Sequence, residues 1–182
     1  APIEAAPVVG NPVPNAVNSG ALNLPANQGT MPKGSQYLSQ AGLDRMKHIE
    51  SRGNPNAVSP TGAKGLYQFT GQTWKDIGMS KYDRLDPIAS TEGAIKLANR
   101  NGQYLENKLG RAPTDAEIYM AHNIGPGGAY KLLSADPNTP VTKALIGSNP
   151  KYNPHFLTNR GRTITAGQAV QKYYDAFGGT GL

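Results

Sequence analysis

From Ser35 onward, apolar residues recur at helical spacing in a series of short segments, each bracketed by residues that start and stop helices. In the first, Leu43, Met46 and Ile49 form a stripe across 39–52, and Gly53 offers a left-handed stop. Thr70 is a cap for a short helix over 71–77. Asp86 followed by Pro87 is a cap with proline at the first helical position; it opens a longer helix through Ile88, Ile95 and Leu105 to a stop at Gly110. Thr114 to Glu117 form a capping box leading into Ile118, Met120 and Ala121. Further short helices are expected over 127–134, 140–146 and 166–177. Nothing alternates with period two for long, so the pattern predicts a mainly α domain with a small β-hairpin over 63–69. Residues 1–34, mostly Ala, Pro, Asn, Val and Gly, lack any apolar period and read as a disordered tail or linker, which leaves 35–182 as the folded domain.

Composition narrows the chemistry. A chain of 182 residues with 37% hydrophobic residues buries one respectable core. Its net charge of +6 favours an anionic partner, and nucleic acid, anionic lipid and bacterial cell wall all qualify. Lys and Arg are scattered singly, with no basic run or helical stripe, which argues against nucleic acid. There is no cysteine, and His48, His122 and His155 stand at no ligand-like spacing, so neither a metal nor a cofactor is expected. No apolar run approaches the roughly 20 residues of a membrane span. The opening residues show neither a basic start nor an apolar core of a secretory signal. With no initiating Met, the chain is expected to be trimmed, processed or part of something larger.

Glu50 is the residue that needs explaining. It lies seven positions after Leu43 and four after Met46, on the apolar face of its own helix. Burial raises a carboxyl pKa, and the nearby helix C-terminus raises it further. A carboxylic acid still protonated at neutral pH is what glycosidic cleavage needs as a proton donor. Periodicity alone favours the plainer reading, a helix-end Glu that hydrogen-bonds a loop. The surrounding motif decides between them. Glu50-Ser51-Arg52-Gly53-Asn54-Pro55-Asn56-Ala57-Val58-Ser59, then Gly62-Ala63-Lys64-Gly65-Leu66-Tyr67-Gln68, resembles the lytic transglycosylase domain family, which shares its fold with goose-type lysozyme. A second family element, Ala-Tyr-Asn-x-Gly-Pro-Gly, has its counterpart in Ala121-His122-Asn123-Ile124-Gly125-Pro126-Gly127.

The resemblance implies a lysozyme-like fold, peptidoglycan glycan strands as substrate, and Glu50 as acid and then base. It also implies substrate contacts from Ser59, Tyr67, Gln68, His122, Asn123 and Tyr173. Two positions depart from the family pattern. Tyr67 replaces the usual Met, and is either a sugar-lining ring or a half-buried core aromatic. His122 replaces the usual Tyr and is either a partner of Glu50 or the sugar whose contact, as an unperturbed imidazole, would be pH-dependent near neutrality, or a buried structural His. Ser51 and Ser59 are expected to hold the Glu50 loop more than to touch substrate. The glycines over 62–65 suit a tight turn that brings backbone close to a ligand.

An inverting hydrolase needs a second carboxylate roughly 6.5–9.5 Å from the first. None lies between Glu50 and Gln68, and the nearest later acids are Asp76, Asp83 and Asp86. The expected product is therefore a 1,6-anhydro-N-acetylmuramic acid end, closed by the sugar's own hydroxyl, with a goose-type-like muramidase and a non-catalytic wall-binding module as alternatives. Action on the cell wall, in the periplasm or outside the cell, follows. The absence of a visible signal also fits a lytic module of a virion or secretion assembly.

Overall fold

The computed structural model describes residue 32 and residues 34–179. The expectation for residues 1–34 thus lies almost wholly outside the described residues. The elements in chain order are α1 (Gln40–Ser51), α2 (Gly71–Asp76), α3 (Pro87–Leu109), α4 (Asp115–Ser134), α5 (Lys143–Ile146), a 3-10 turn (Pro150–Tyr152), α6 (Pro154–Leu157), β1 (Thr158–Asn159), β2 (Arg162–Thr163) and α7 (Ala166–Ala176). The fold is mainly helical with one small antiparallel ladder, Thr158 opposite Thr163 and Asn159 opposite Arg162.

Most helix ends follow from their caps. The hydroxyls of Ser39, Thr70 and Thr142 and the carboxylate of Asp86 accept backbone N–H groups at the starts of α1, α2, α5 and α3. Capping boxes open α4 at Thr114 and Glu117, and α7 at Thr165 and Gln168. Helix α1 ends one residue earlier than Gly53 suggested: Arg52 itself is left-handed, at φ 53°, and its N–H bonds the His48 carbonyl. The start of α5 is later than expected, because Pro140 bridges Thr165 and the Val141 N–H goes to the Ile164 carbonyl. Over 63–69 the expected hairpin is reduced to one antiparallel pair, Lys64 with Phe69, reciprocally hydrogen-bonded at 3.0 Å, with a further bridge from Val58 to Lys64; the two-residue ladder forms at β1 and β2.

Helix α4 is the hub, packed against α3, α7, α5 and α1. Its buried residues run almost unbroken from Ala116 to Gly125, so it is covered on nearly every side. At Gly125 it breaks: φ 75° and ψ 158° lie outside the helical region, and Pro126 follows with no N–H to continue the ladder. One core cluster spans Leu38, Leu43 and Met46, the aromatic side chains of the 66–74 loop, α3, α4, and Phe156 and Tyr173 from the last third of the chain.

Candidate active site

Helix α1 contributes a buried stripe of Leu43, Met46 and Glu50, with Ile49 only partly buried beside it. The carboxylate thus occupies the place an apolar residue would take. Ser51 fixes this helix end. Its hydroxyl donates to the Leu66 carbonyl at 2.9 Å and lies 3.2 Å from the Lys47 carbonyl, while it accepts the Gly53 N–H at 3.2 Å. The turn carrying Gly65-Leu66-Tyr67-Gln68 is thereby tied to the residue after Glu50.

Helix α4 supplies the partners of the carboxyl group. The Tyr119 hydroxyl donates to Glu50 Oε1 at 2.8 Å, and the Asn123 amide, one turn further on, also favours the charged carboxylate. His122 Nε2 lies 3.8 Å from the same oxygen. These residues recur one turn apart, so they share one helix face. Behind them the Tyr173 hydroxyl donates to Asn123 Oδ1 at 3.1 Å, and Asn153 Nδ2 donates to the Asn123 carbonyl at 3.3 Å. Aromatic rings exclude water: Tyr119 meets Phe156, Tyr173 and Phe177 within 6.0 Å between centroids, and Phe156 stacks on Tyr173 at 4.4 Å.

Burial pushes the Glu50 carboxyl up to about 8, against the opposing pull of the Tyr119 and Asn123 donors. The same burial pushes the His122 imidazole down to about 4, opposed by its hydrogen bond to the Tyr67 backbone. At neutral pH, therefore, Glu50 carries its proton and His122 is uncharged, so the 3.8 Å approach is not an ion pair. The pH dependence expected of an ordinary imidazole moves out of the neutral range and passes to Glu50.

The remaining sequence candidates divide. Asn123 lies in the site, and Tyr173 stands one layer behind it. Ser59 braces its own turn, accepting from the Ala63 N–H and sharing a hydrogen bond with Thr61. Gln68 is buried, and its amide nitrogen donates to the carbonyls of Gly65 and Ala57, so its donors hold the loop. Tyr67 is 1% exposed and packs in the core cluster. The close approach at Gly65 is to the chain itself: a Cβ there would lie 2.0 Å from the Arg84 carbonyl. Asp76 is exposed on α2 and accepts from Gln72; Asp83 accepts the Leu85 N–H; Asp86 caps α3. No group of three or more potential metal ligands occurs among the described residues.

Sequence reasoning missed Tyr119 and Asn153. Tyr119 was findable: it precedes Asn123 by four residues on a predicted helix, on the same face. Asn153 gave no such signal, because it is brought to α4 by a non-local connection.

Comparison with known proteins bears on this geometry. The model of the family described as Transglycosylase SLT domain matches residues 34–143, more than half of the chain. A membrane-bound lytic murein transglycosylase F of Shewanella pealeana is 34% identical over 164 residues, covering 84% of this chain and 34% of the relative. Proteins of the same name from Shewanella halifaxensis and Ectopseudomonas mendocina are 36% and 32% identical, covering 84% and 81% of this chain and 34% of each relative. The chain thus spans about a third of the length of these relatives. Their names give no support to a virion placement. Among the described residues no helix is long and apolar enough to cross a membrane.

Proposed function

The chain belongs to the Transglycosylase SLT domain family, and from that premise we propose that it is a lytic transglycosylase cleaving the β-1,4 bond between N-acetylmuramic acid and N-acetylglucosamine in peptidoglycan. The observation that carries this reading is a buried carboxyl on α1, held protonated up to about 8 and facing hydrogen-bond donors from α4. Glu50 gives its proton to the glycosidic oxygen as the bond to the muramic acid C1 breaks. Tyr119, which donates to it, then stabilises the carboxylate that forms, and the Asn123 amide acts in the same sense. The muramic acid C6 hydroxyl attacks C1, its proton returns to Glu50, and the 1,6-anhydro ring closes. The substrate's N-acetyl group stabilises the cationic centre between these steps.

Asn123 and His122 stand beside the reacting bond, while Ser59, Tyr67, Gln68 and Tyr173 shape the site from behind. Ring closure is favoured over hydrolysis because no carboxylate lies between Glu50 and Gln68, and Asp76, Asp83 and Asp86 are each engaged in local turn or capping contacts. The enzyme acts at the cell wall, in the periplasm or outside the cell, and its net charge of +6 suits an anionic wall.

Glu50→Gln tests the assignment. It keeps the shape and removes the transferable proton, so clearing of a peptidoglycan suspension should fall at least about a hundredfold while circular dichroism stays that of the parent. A folded variant that clears the wall at the parental rate removes Glu50 from the mechanism.

A further inference from the structure

Asn153 has the position of a helix cap, directly before Pro154 at the start of α6. Its side chain makes no capping bond. Instead it is 6% exposed, and its Nδ2 reaches the main-chain carbonyl of Asn123, thirty residues earlier. That carbonyl sits where α4 breaks. In an unbroken helix it would accept from Gly127, but the non-helical Gly125 interrupts the ladder between the two, and Pro126 brings no N–H. A buried carbonyl at such a break needs a donor from elsewhere, and Asn153 supplies one.

We propose that Asn153 is a positioning residue for the acid: by holding the Asn123 main chain at the α4 break, it fixes the amide that stands one turn from Tyr119 at Glu50. Asn123 is then gripped twice, on its side chain by Tyr173 and on its main chain by Asn153. Both grips come from the segment after residue 143, where the family match ends. The family pattern around Glu50 and Asn123 therefore depends, in this chain, on residues outside the matched stretch. The inference rests on Glu50 being the acid.

The test compares Asn153→Ala and the closer-sized Asn153→Leu with the parent and with Glu50→Gln, on one peptidoglycan preparation. Loss of the grip should lower kcat about tenfold, the worth of one net hydrogen bond, with KM unchanged. It should also move the high-pH limb of kcat upward, because a loosened Asn123 no longer pulls the Glu50 carboxyl down. Carboxyl 13C NMR of Glu50, identified by its disappearance in Glu50→Gln, should show the same upward move without any turnover. Variants that only lose thermal stability, with parental kcat and an unmoved limb, overturn the proposal. Should neither variant fold, the parent still decides: the Asn153 side-chain amide must exchange slowly with solvent, and fast exchange overturns the proposal. An active Glu50→Gln would sink the acid assignment itself, whereas an inactive one beside unaltered Asn153 variants would sink only this inference.

Discussion

Glu50 and His122 are displaced by burial in opposite senses, and together they set a stability profile. The Glu50 carboxyl, at 4.5 when unperturbed, is raised to about 8, so its contribution is full below 4.5 and is lost as pH rises towards 8. His122 is lowered from 6.5 to about 4, so its contribution is full above 6.5 and is lost as pH falls towards 4. Each slope is about 1.4 kcal/mol per pH unit, and the two cancel between 4.5 and 6.5. From these groups, urea-unfolding stability should be level between pH 4.5 and 6.5 and then fall to pH 8, and Glu50→Gln should abolish the fall. A glutamine variant that declines like the parent would mean that Glu50 is not buried. Turnover should fall through about pH 8 as Glu50 loses its proton, and His122→Tyr should leave the profile between about 5 and 7 unchanged, since the imidazole titrates below it. The acid was legible in the sequence because a carboxylate stood on an apolar stripe. The upward direction of its pKa was legible too, from burial on that stripe; the opposing pull of Tyr119 was not, since that side chain arrives from another helix.

Among the elements, the turn carrying Gly65 is closely enclosed by the Arg84 main chain. Gly65 is left-handed at φ 81°, and the Arg84 main chain closes over it while Arg84 Nη1 donates to the carbonyls of Phe69 at 2.7 Å and Gly62 at 3.2 Å. Gly65→Ala should therefore cost at least about 2 kcal/mol, through a forbidden backbone region and a clash with a carbonyl that cannot step aside. Thermal unfolding measures this, and a melting temperature equal to the parent's would show that the turn can open. The long helices were legible because caps and apolar spacing agreed at both ends, as at Asp86 and Gly110 around α3. Even the α4 break was foreshadowed by Gly125-Pro126. The 3-10 turn, α6 and the β1–β2 ladder were not legible, because two to four residues carry no period and form only where neighbouring chain covers them.

At the scale of the molecule, the folded unit extends past the family match. Phe156, Tyr173 and Asn153 all follow residue 143, and they wall or brace the Glu50 site. A chain ended after Lys143 should lose cooperative unfolding and activity, whereas removal of residues 1–33 should leave both in place, since that stretch lacks an apolar period and precedes the match. A cooperative, active 34–143 fragment would show that the last third is dispensable. The reaction itself is tested most directly by its product. One peptidoglycan preparation, digested in parallel by this protein and by a muramidase, should yield from this protein muropeptides one water lighter that resist borohydride reduction, because their ends are 1,6-anhydro-N-acetylmuramic acid. Muropeptides of muramidase mass with reducible ends would contradict this, and would mean that water, activated by a carboxylate, takes the place of the sugar's own hydroxyl.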